Sequence, residues 1–487
     1  MRGRVAAGHP AVAEAAASAL RAGGNAFDAV VAAGFAAAVA EPGLTSLAGG
    51  GFLLARTASG EELVFDFFVD TPGRGLDVDR PAPRFEAVDV RFPAAVQTFH
   101  CGIGSVAVPG TLTGYLHVHG RLGQLPRRAV IEPAARLAAD GVALPPRQAA
   151  ILGILEPILT REPATAAVFA PGGRLLRPGE LVRNPDLAVV LTALAEGTVG
   201  DLRSGTLHDR LVAMMGGDGL VTAEDLAAYR VVEREPLRVD YRGRRILTNP
   251  PPSFGGRLIG QALELRRATD ERWRTPAWAQ ALVEDMIEVD RRRAAELAGT
   301  DGAPSTSRGT THVSVTDADG NIAAMTTSNG ECSGDVIPGT GILLNNMLGE
   351  DDLHPDGFHA APPGVRVASM MAPTVFLDAD GRAELVLGSG GSKRIRTAIL
   401  QVISAVVDGG RAVEEAVGAP RLHWDTDQVE MEPGWPPEVV QALEARWPLN
   451  VWPGPDVYFG GVHAVAPGPG GGAAGDPRRD GAVAEVS

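Results

Sequence analysis

Cysteine is nearly absent from this chain, and its scarcity excludes two kinds of protein. The 487 residues contain 2 cysteines, Cys101 and Cys332, which are too few for a disulfide framework and lack the spacing of a metal-binding pair. His354 and His359 lie five residues apart with a proline and a glycine between them, so no helix can align their rings as ligands. We therefore predict two unpaired thiols, no metal and no other cofactor.

An excess of positive charge and a long apolar run are also missing. The formal net charge is −15 and the isoelectric point is near 5.2, so the composition argues against nucleic acid or an anionic membrane as a partner. The longest apolar run, residues 26–40, is short for a bilayer span and contains Asp28. We predict no nucleic-acid partner and no membrane segment.

A secretory signal is not visible at the start of the chain. The first four residues are basic, but Gly8-His9-Pro10 interrupts the chain before an apolar stretch can form. We therefore predict a cytoplasmic location, with export left open.

Two helices are predicted at the start of the chain. Residues 11–22 are strong helix formers that end at a pair of glycines, which is typical of a helix C-terminus. Asn25 is a good N-cap for a second helix over residues 26–40, and Asp28 lies in its first turn. The apolar composition of the second helix predicts that it is buried.

Pairs of short apolar segments joined by turn residues predict β-hairpins. These pairs are residues 52–55 with 63–65, 313–316 with 322–327, and 374–377 with 383–387. We expect residues 130–300 to be mainly helical and residues 71–97 to form a surface segment. Residues 467–480 are rich in glycine and proline, which predicts a mobile segment.

The residues around position 310 suggest a nucleophile that is made by cleavage. Residues 299–309 have the composition of an exposed loop, and Thr310 follows them at the start of a predicted strand. A threonine at a chain terminus carries its own base, because its α-amine has a pKa near ~8. Threonine is also common at strand starts, so these residues alone leave an ordinary structural role open.

Motifs along nearly the whole chain resemble the gamma-glutamyltransferase family. The small subunit of that family opens with Thr-Thr-His-x-Ser-Val, which matches residues 310–315, followed by Asp-Gly-Asn at 319–321. Further matches, in the family's order and at similar spacing, are residues 8–10, 23–26, 41–42, 49–52, 108–110, 338–346, 369–374 and 388–392. We identify the chain as a divergent member of this family.

The resemblance implies an α/β protein with the four-layer α/β/β/α sandwich of N-terminal-nucleophile hydrolases. It also implies that an inactive precursor cuts itself between Gly309 and Thr310. A large subunit of residues 1–309 and a small subunit of residues 310–487 would then form one catalytic fold. The resemblance is compatible with a homodimer of the processed unit.

Site residues follow from the motifs, position by position. Thr310 corresponds to the nucleophile of the family, and Ser328 to a second hydroxyl that assists it from the returning strand. Gly390 and Gly391 correspond to the glycines of the oxyanion hole, where backbone amides bind developing negative charge.

The same carry-over predicts residues that bind the substrate. Asn329 and Ser369 correspond to polar residues of the family's substrate site. The acidic run Glu350-Asp351-Asp352 supplies the carboxylate for the substrate's α-amino group, and the motif favours Asp351 or Asp352.

Three departures from the family pattern leave the acyl group open. Phe68 stands where the family has an arginine that grips the α-carboxylate of the glutamyl group, and Arg74 is a weak substitute. Met370 replaces the second serine of a pair, and Glu331 adds a charge close to the site.

Three functions follow from these motifs. The first is hydrolysis or transfer of γ-glutamyl groups from small glutathione-like amides to water or an amino acid. The second is an acylase for another acyl group, such as a glutaryl-type or peptide amide. The third is an uncut, non-catalytic binding protein, which the retained Thr-Thr-His and Gly-Gly motifs disfavour.

Overall fold

The computed structural model describes residues 2–77, 81–92, 95–267, 271–296, 309–350, 353–354, 357–468 and 470–487. Helices of this part of the chain are α1 Pro10–Arg21, α2 Ala26–Ala40, α3 Thr111–Leu122, α4 Arg127–Asp140, α5 Pro146–Ile154, α6 Glu156–Leu159, α7 Pro163–Phe169, α8 Pro185–Glu196, α9 Thr206–Met215, α10 Ala223–Ala228, α11 Gly255–Arg267, α12 Pro276–Glu296, α13 Arg394–Val407, α14 Val413–Gly418 and α15 Pro437–Glu444.

Strands of the same part of the chain are β1 Gly3–Ala7, β2 Gly50–Arg56, β3 Glu62–Asp66, β4 Glu86–Phe92, β5 Ala95–Cys101, β6 Val142–Ala143, β7 Leu181–Val182, β8 Val232–Arg234, β9 Leu237–Tyr241, β10 Arg244–Thr248, β11 Thr311–Asp317, β12 Ile322–Ser328, β13 Thr374–Leu377, β14 Ala383–Gly390, β15 Leu422–Asp425, β16 Gln428–Met431, β17 Leu449–Val451, β18 Gly461–Val465, β19 Ala473–Ala474 and β20 Ala482–Val486.

Two antiparallel sheets form the centre of the fold. The seven-stranded sheet has the order β20-β1-β11-β12-β2-β3-β8, and the six-stranded sheet has the order β19-β18-β14-β13-β10-β9. Helices α1, α2 and α3 pack on the first sheet, with α4 packed on α2, while α11 and α13 pack on the second, with α12 packed on α11. The four-layer α/β/β/α sandwich that the motifs predicted is confirmed.

Side chains that point alternately to the two faces of the central strands explain why the fold has two hydrophobic cores. In β11, Val313 and Val315 face α1 and α2, whereas His312 and Ser314 lie between the two sheets. Successive side chains of a strand point to opposite faces, so each strand contributes to both layers. The register of the sandwich is therefore set by this period-two pattern.

A polar ladder connects the two sheets beside β11. His312 Nδ1 lies 2.8 Å from Thr326 Oγ1, and His312 Nε2 lies 2.9 Å from Ser314 Oγ. The Ser314 hydroxyl donates across the sandwich to the carbonyl oxygen of His463, at 3.0 Å. Burial holds the pKa of His312 well below its usual value, so this ring is neutral and serves as a strut between the sheets.

The two predicted helices at the start and the three predicted hairpins are confirmed. Asn25 accepts hydrogen bonds from the amides of Phe27 and Asp28, and the Asp28 carboxylate accepts one from the Asn25 amide. This reciprocal capping fixes the start of α2, which is buried along its whole length. Both cysteines are buried and free, as predicted.

The surface prediction for residues 71–97 is wrong in part, while the mainly helical prediction for residues 130–300 is confirmed by α4 to α12 but misses short strands. Residues 86–101 are not plain surface, because β4 and β5 form a hairpin that buries Val90 and Phe99. Residues 232–248 contain three strands within a region predicted to be mainly helical, and they complete the edges of both sheets. In both places the period-two alternation is only a few residues long, so it was outweighed by the neighbouring prolines and helix formers.

Residues 467–480 were predicted to be mobile, and this prediction is also wrong for the described part of the segment. Asp476 is completely buried and pairs with Arg421 at 2.6 Å. Arg478 is buried between Asp476 and Glu432. Charge pairing orders this glycine-rich segment, and composition alone does not report it.

Both predicted subunits contribute strands to both sheets. Residues before 310 supply β1, β2, β3 and β8 to one sheet and β9 and β10 to the other. Residues after 310 supply β11 and β12 to the centre of the first sheet and most of the second. None of the helices in the described ranges is both long and apolar enough to cross a membrane.

The tight packing between the sheets predicts the effect of one added methyl group. A Cβ atom on Gly388 of β14 would lie 2.3 Å from His312 Nδ1, so alanine must push the strut aside. We expect Gly388→Ala to lower the free energy of unfolding by about 1–3 kcal/mol, measured by urea denaturation. Gly120→Ala is the matched control, because nothing lies near that site in α3 and alanine favours a helix. Equal effects of the two substitutions would contradict this packing.

Candidate active site

The register of the central hairpin brings two predicted site residues together. Thr311, the first residue of β11, pairs with Thr327, so the next position on each strand places Thr310 beside Ser328. The Thr310 hydroxyl donates to Ser328 Oγ at 3.3 Å, and both side chains are buried.

The peptide bond between Gly309 and Thr310 lies within the same hydrogen-bond network. The Ser328 hydroxyl donates to the carbonyl oxygen of Gly309, and Ser328 Oγ accepts from the Gly330 amide at 3.1 Å. The Gly309 amide donates to Glu331 Oε1 at 3.1 Å. A donor on a carbonyl oxygen stabilises the negative charge that develops there when a nucleophile attacks. The chain of hydroxyls therefore connects a nucleophile with the carbonyl group next to it.

Close backbone contacts around this bond require glycine. A Cβ atom on Gly309 would lie 1.7 Å from the Gly330 carbonyl oxygen, and one on Gly390 would lie 2.1 Å from the Thr310 carbonyl oxygen. Gly391 has φ +120°, a conformation that other residues rarely adopt. The structure thus places Gly390 against Thr310, with Gly391 next to it in the chain, while the role of both glycines stays a prediction.

Two buried charges flank the start of β11, and sequence reasoning missed both. Glu41, directly after α2, accepts a hydrogen bond from Thr311 Oγ1 at 2.8 Å. Burial raises the pKa of Glu41 to about 7, and Arg479 partly opposes this shift. Arg479 donates to the Thr310 carbonyl oxygen at 3.0 Å, and burial lowers its pKa to about 10. These contacts hold the backbone on both sides of Thr310.

The signals for these two residues were weak in the sequence. Glu41 read only as the end of a helix, and Arg479 lies in the segment predicted to be mobile. The doublet Arg478-Arg479 next to Asp476 could have indicated a buried ion-pair network in that segment.

A small cavity opens beside Thr310 and Ser328. Its lining in the described part of the chain consists of Phe68, Thr310, Ser328, Met347, Glu350, Leu353, Ser369, Met370, Met371, Ser392 and Ile395. Six of these are apolar, and Glu350 is the only charged side chain among them. A pocket of this kind suits an acyl group with a mainly apolar body.

The other predicted substrate residues differ in their placement. Ser369 lines the cavity as predicted. Asn329 does not, because its side chain accepts from Ser46 Oγ at 2.7 Å and donates to the Leu344 carbonyl oxygen at 3.2 Å. Asp351 and Asp352 lie outside the described residues. The acidic side chain that the structure places in the cavity is their neighbour Glu350, two or fewer positions from the residues the motif favoured.

The two histidines considered as metal ligands each contact a backbone carbonyl group. His354 Nε2 lies 2.8 Å from the Met347 oxygen, and His359 Nε2 lies 3.0 Å from the Gly104 oxygen. The described residues contain no group of three or more potential metal ligands.

Comparisons with known proteins agree with this arrangement. The family model described as gamma-glutamyltranspeptidase matches residues 12–301 and 275–486. The acylase ACY 1 proenzyme of Pseudomonas sp. (strain SE83) is 35% identical, over 96% of this chain and 90% of that protein. The glutathione hydrolase proenzyme of Escherichia coli (strain K12) is 31% identical, over 88% and 82% respectively.

A solved structure shows the same fold over almost the whole chain. The cephalosporin acylase from Bacillus halodurans superimposes with a TM-score of 0.80 at 26% identity, covering 99% of this chain and 95% of that one. The fold is that of an N-terminal-nucleophile hydrolase. More narrowly, the chain belongs to the gamma-glutamyltranspeptidase family and is an enzyme.

The raised pKa of Glu41 predicts a pH dependence of stability. A carboxyl group with a folded pKa near 7 and an ordinary value of 4.5 stabilises the fold below pH 4.5, and this contribution is lost as the pH rises to about 7. In a Thr310→Ala background, the free energy of unfolding should therefore decrease as the pH rises. This decrease should be up to about 3 kcal/mol larger than in the same background with Glu41→Gln.

Urea denaturation at pH 4.5 and pH 7.5 checks this difference, with exposed Glu444→Gln on α15 as the control. The control should follow the parent at both pH values. Parallel pH profiles of the parent and Glu41→Gln would show that Glu41 ionises normally.

Proposed function

We propose that the chain cleaves itself before Thr310 and then uses Thr310 as the nucleophile of an amide-cleaving enzyme. The observation that carries this proposal is the Thr310–Ser328–Gly309 hydroxyl network around one peptide bond. Two relatives that are named proenzymes support it.

The cleavage step follows from the atoms at this bond. Thr310 Oγ adds to the Gly309 carbonyl carbon, its hydroxyl proton passes to the Thr310 nitrogen, and the C–N bond breaks as the acyl group moves from nitrogen to oxygen. Water then hydrolyses the resulting ester, which leaves a carboxylate on Gly309 and an α-amine on Thr310. Ser328 accepts the hydrogen bond of the attacking hydroxyl and donates to the carbonyl oxygen throughout this step.

The α-amine formed in this way completes the catalytic group. The α-amine can take the proton of the Thr310 hydroxyl when Thr310 attacks a substrate amide. The amine product then departs, and an acyl-enzyme remains. Water or an amino acid then accepts the acyl group. Gly390 and Gly391 would supply backbone donors for the oxyanion.

The two pieces, residues 1–309 and 310–487, should stay associated after cleavage. Strands of the two pieces are hydrogen-bonded to each other in both sheets, so separating them would break the pairs β20–β1, β1–β11 and β12–β2 of one sheet and β13–β10 of the other. The division into two subunits of one catalytic fold rests on this interleaving.

Small γ-glutamyl amides are the first candidate substrates. Membership of the gamma-glutamyltranspeptidase family supports them, as does the relative named glutathione hydrolase. Glu350 in the cavity offers a carboxylate for an α-amino group.

An acyl group without an α-carboxylate is the second candidate, and Phe68 is the observation that favours it. Phe68 lines the cavity where the family motif has arginine, and its ring stacks on Phe52 with centroids 5.5 Å apart. Met370, which also lines the cavity, replaces a hydroxyl donor. The acylase names of two similar proteins agree with this candidate.

Self-cleavage predicts two fragments. Purified wild-type protein should yield pieces of 309 and 178 residues, together the full 487, with the smaller beginning Thr-Thr-His. Thr310→Ala should stay whole, and Ser328→Ala should be cut about 10²–10³-fold more slowly because the carbonyl group loses its donor. Intact mass and N-terminal sequencing provide the measurement.

Thr316→Ala, at the far end of β11, is the control and should be cut like the wild type. A single chain in every sample, or cleavage at another bond, would contradict the proposal and favour the non-catalytic binding protein.

The cavity predicts weak recognition of the α-carboxylate. We expect kcat/KM for γ-glutamyl p-nitroanilide to be similar to that for the 4-aminobutyryl compound, which lacks only the carboxylate. Phe68→Arg should shift this ratio about 10-fold or more towards γ-glutamyl, because a guanidinium adds charge-assisted hydrogen bonds. Phe68→Leu, which keeps the pocket apolar, should leave the ratio unchanged.

Self-cleavage serves as the folding check for both Phe68 variants. The 4-aminobutyryl anilide separates the second candidate from the γ-glutamyl candidate, and a glutaryl anilide, which keeps the carboxylate and lacks the amine, tests whether the α-amine is required. A wild-type preference for γ-glutamyl over 4-aminobutyryl above 100-fold would mean that another group grips the carboxylate.

A further inference from the structure

A second recess lies at the start of α12, apart from the Thr310 cavity. Its outer part is lined by Arg272, Trp273, Arg274, Thr275, Arg411, Gly434, Trp435 and Pro436. A much smaller inner cavity shares Trp273, Arg274 and Trp435 with it and reaches Arg421. None of these residues lines the Thr310 cavity.

Three arginines concentrate positive charge at this recess in a chain with net charge −15. The Arg274 guanidinium lies 4.7 Å from the ring centre of Trp435 and 5.6 Å from that of Trp273. Arg411 lies 5.0 Å from the Trp273 ring centre. Glu415 forms an exposed pair with Arg411 at 3.4 Å, so one carboxylate faces three guanidinium groups. The balance favours an anion.

Two buried N–H groups at the recess have no acceptor among the described residues. They are the indole N–H of Trp435, whose side chain is 8% exposed, and Nε of Arg274. A buried donor without a partner costs about 1–3 kcal/mol, which a bound acceptor would recover. These unpaired donors are independent of the surface charge and point to the same kind of ligand.

The N-terminus of α12 adds to this environment. This helix has 21 residues and begins at Pro276, and Thr275 at its start lines the recess. The dipole of a long helix favours negative charge at its N-terminus, although Thr275 Oγ1 already accepts from the Trp278 amide there.

We propose that this recess is a binding site for an oxyanion, the phosphate or carboxylate group of a small molecule. The guanidinium groups of Arg272, Arg274 and Arg411 supply the charge, and the Trp435 indole N–H supplies a directed donor. This site is independent of the proposed function of Thr310.

Tryptophan fluorescence tests the site directly, because Trp273 and Trp435 form its walls. The full chain with Thr310→Ala is titrated with sodium phosphate and, separately, with sodium acetate, with sodium chloride at equal ionic strength as the baseline. We expect a saturable change with at least one of the two anions. The anion that gives the tighter binding identifies the source as phosphate or carboxylate.

Two variants assign the response to this recess. Arg274→Gln should raise Kd at least about 10-fold, and Trp435→Phe, which keeps an aromatic ring without the N–H, about 5-fold. Arg291→Gln, on the exposed face of α12, is the matched control and should bind like the parent. Isothermal titration calorimetry gives the same constants for Trp435→Phe, which removes one fluorophore.

No saturable response beyond chloride with either anion would overturn the site. An equal response in Arg274→Gln and Trp435→Phe would also overturn it, because the anion would then bind elsewhere. Arg274→Gln and Trp435→Phe are also made in the chain that keeps Thr310. No residue of the recess lines the Thr310 cavity, so self-cleavage of these two variants verifies that they fold.

Discussion

The close approach of backbone to backbone around Thr310 is the constraint on which the rest of the site depends. Gly309 lies against the Gly330 carbonyl group, and Gly390 lies against that of Thr310, so the ends of strands from both sheets meet without side chains between them. Only this proximity lets one serine, Ser328, contact both the Thr310 hydroxyl and the Gly309 carbonyl oxygen. A single Cβ atom at either glycine would separate the groups that must react. The chemistry is thus a consequence of packing.

Buried charge holds this arrangement in place at some electrostatic cost. Glu41 and Arg479 are both completely buried, and desolvation shifts the pKa of each towards its neutral form. Each partly stabilises the ionised form of the other, while hydrogen bonds to Thr311 and Thr310 use that charge to fix the start of β11. Strained or charged groups of this kind are typical of functional sites, because a merely stable fold does not need them.

Sequence patterns predicted the parts of the molecule that local physics determines. The capping of α2 by Asn25 and Asp28 needs only neighbouring residues, and the β11–β12 hairpin needs only alternation and a turn. The family motif located Thr310, Ser328 and the paired glycines. The motif could not predict features that depend on contacts with residues far away in the sequence.

Long-range partners account for the misses. Arg479 is ordered because Asp476 and its neighbours pair with Arg421 and Glu432, residues far away in the sequence. The position of Glu350 depends on how the chain after Asn346 turns, and an acidic run of three residues gives no register by itself. A strand such as β8 has three residues, too few for alternation to stand out from its surroundings.

Substrate recognition and amide cleavage are assigned to different residues of the site. In the proposed function, amide cleavage rests on Thr310, Ser328 and the two glycines. Specificity rests on cavity residues such as Phe68 and Met370, which belong to other parts of the chain. A pocket that loses a guanidinium and a hydroxyl offers a carboxylate fewer partners, and burying an unpaired carboxylate costs several kcal/mol. On the proposed function, γ-glutamyl donors bear this cost, whereas acyl donors without the carboxylate do not.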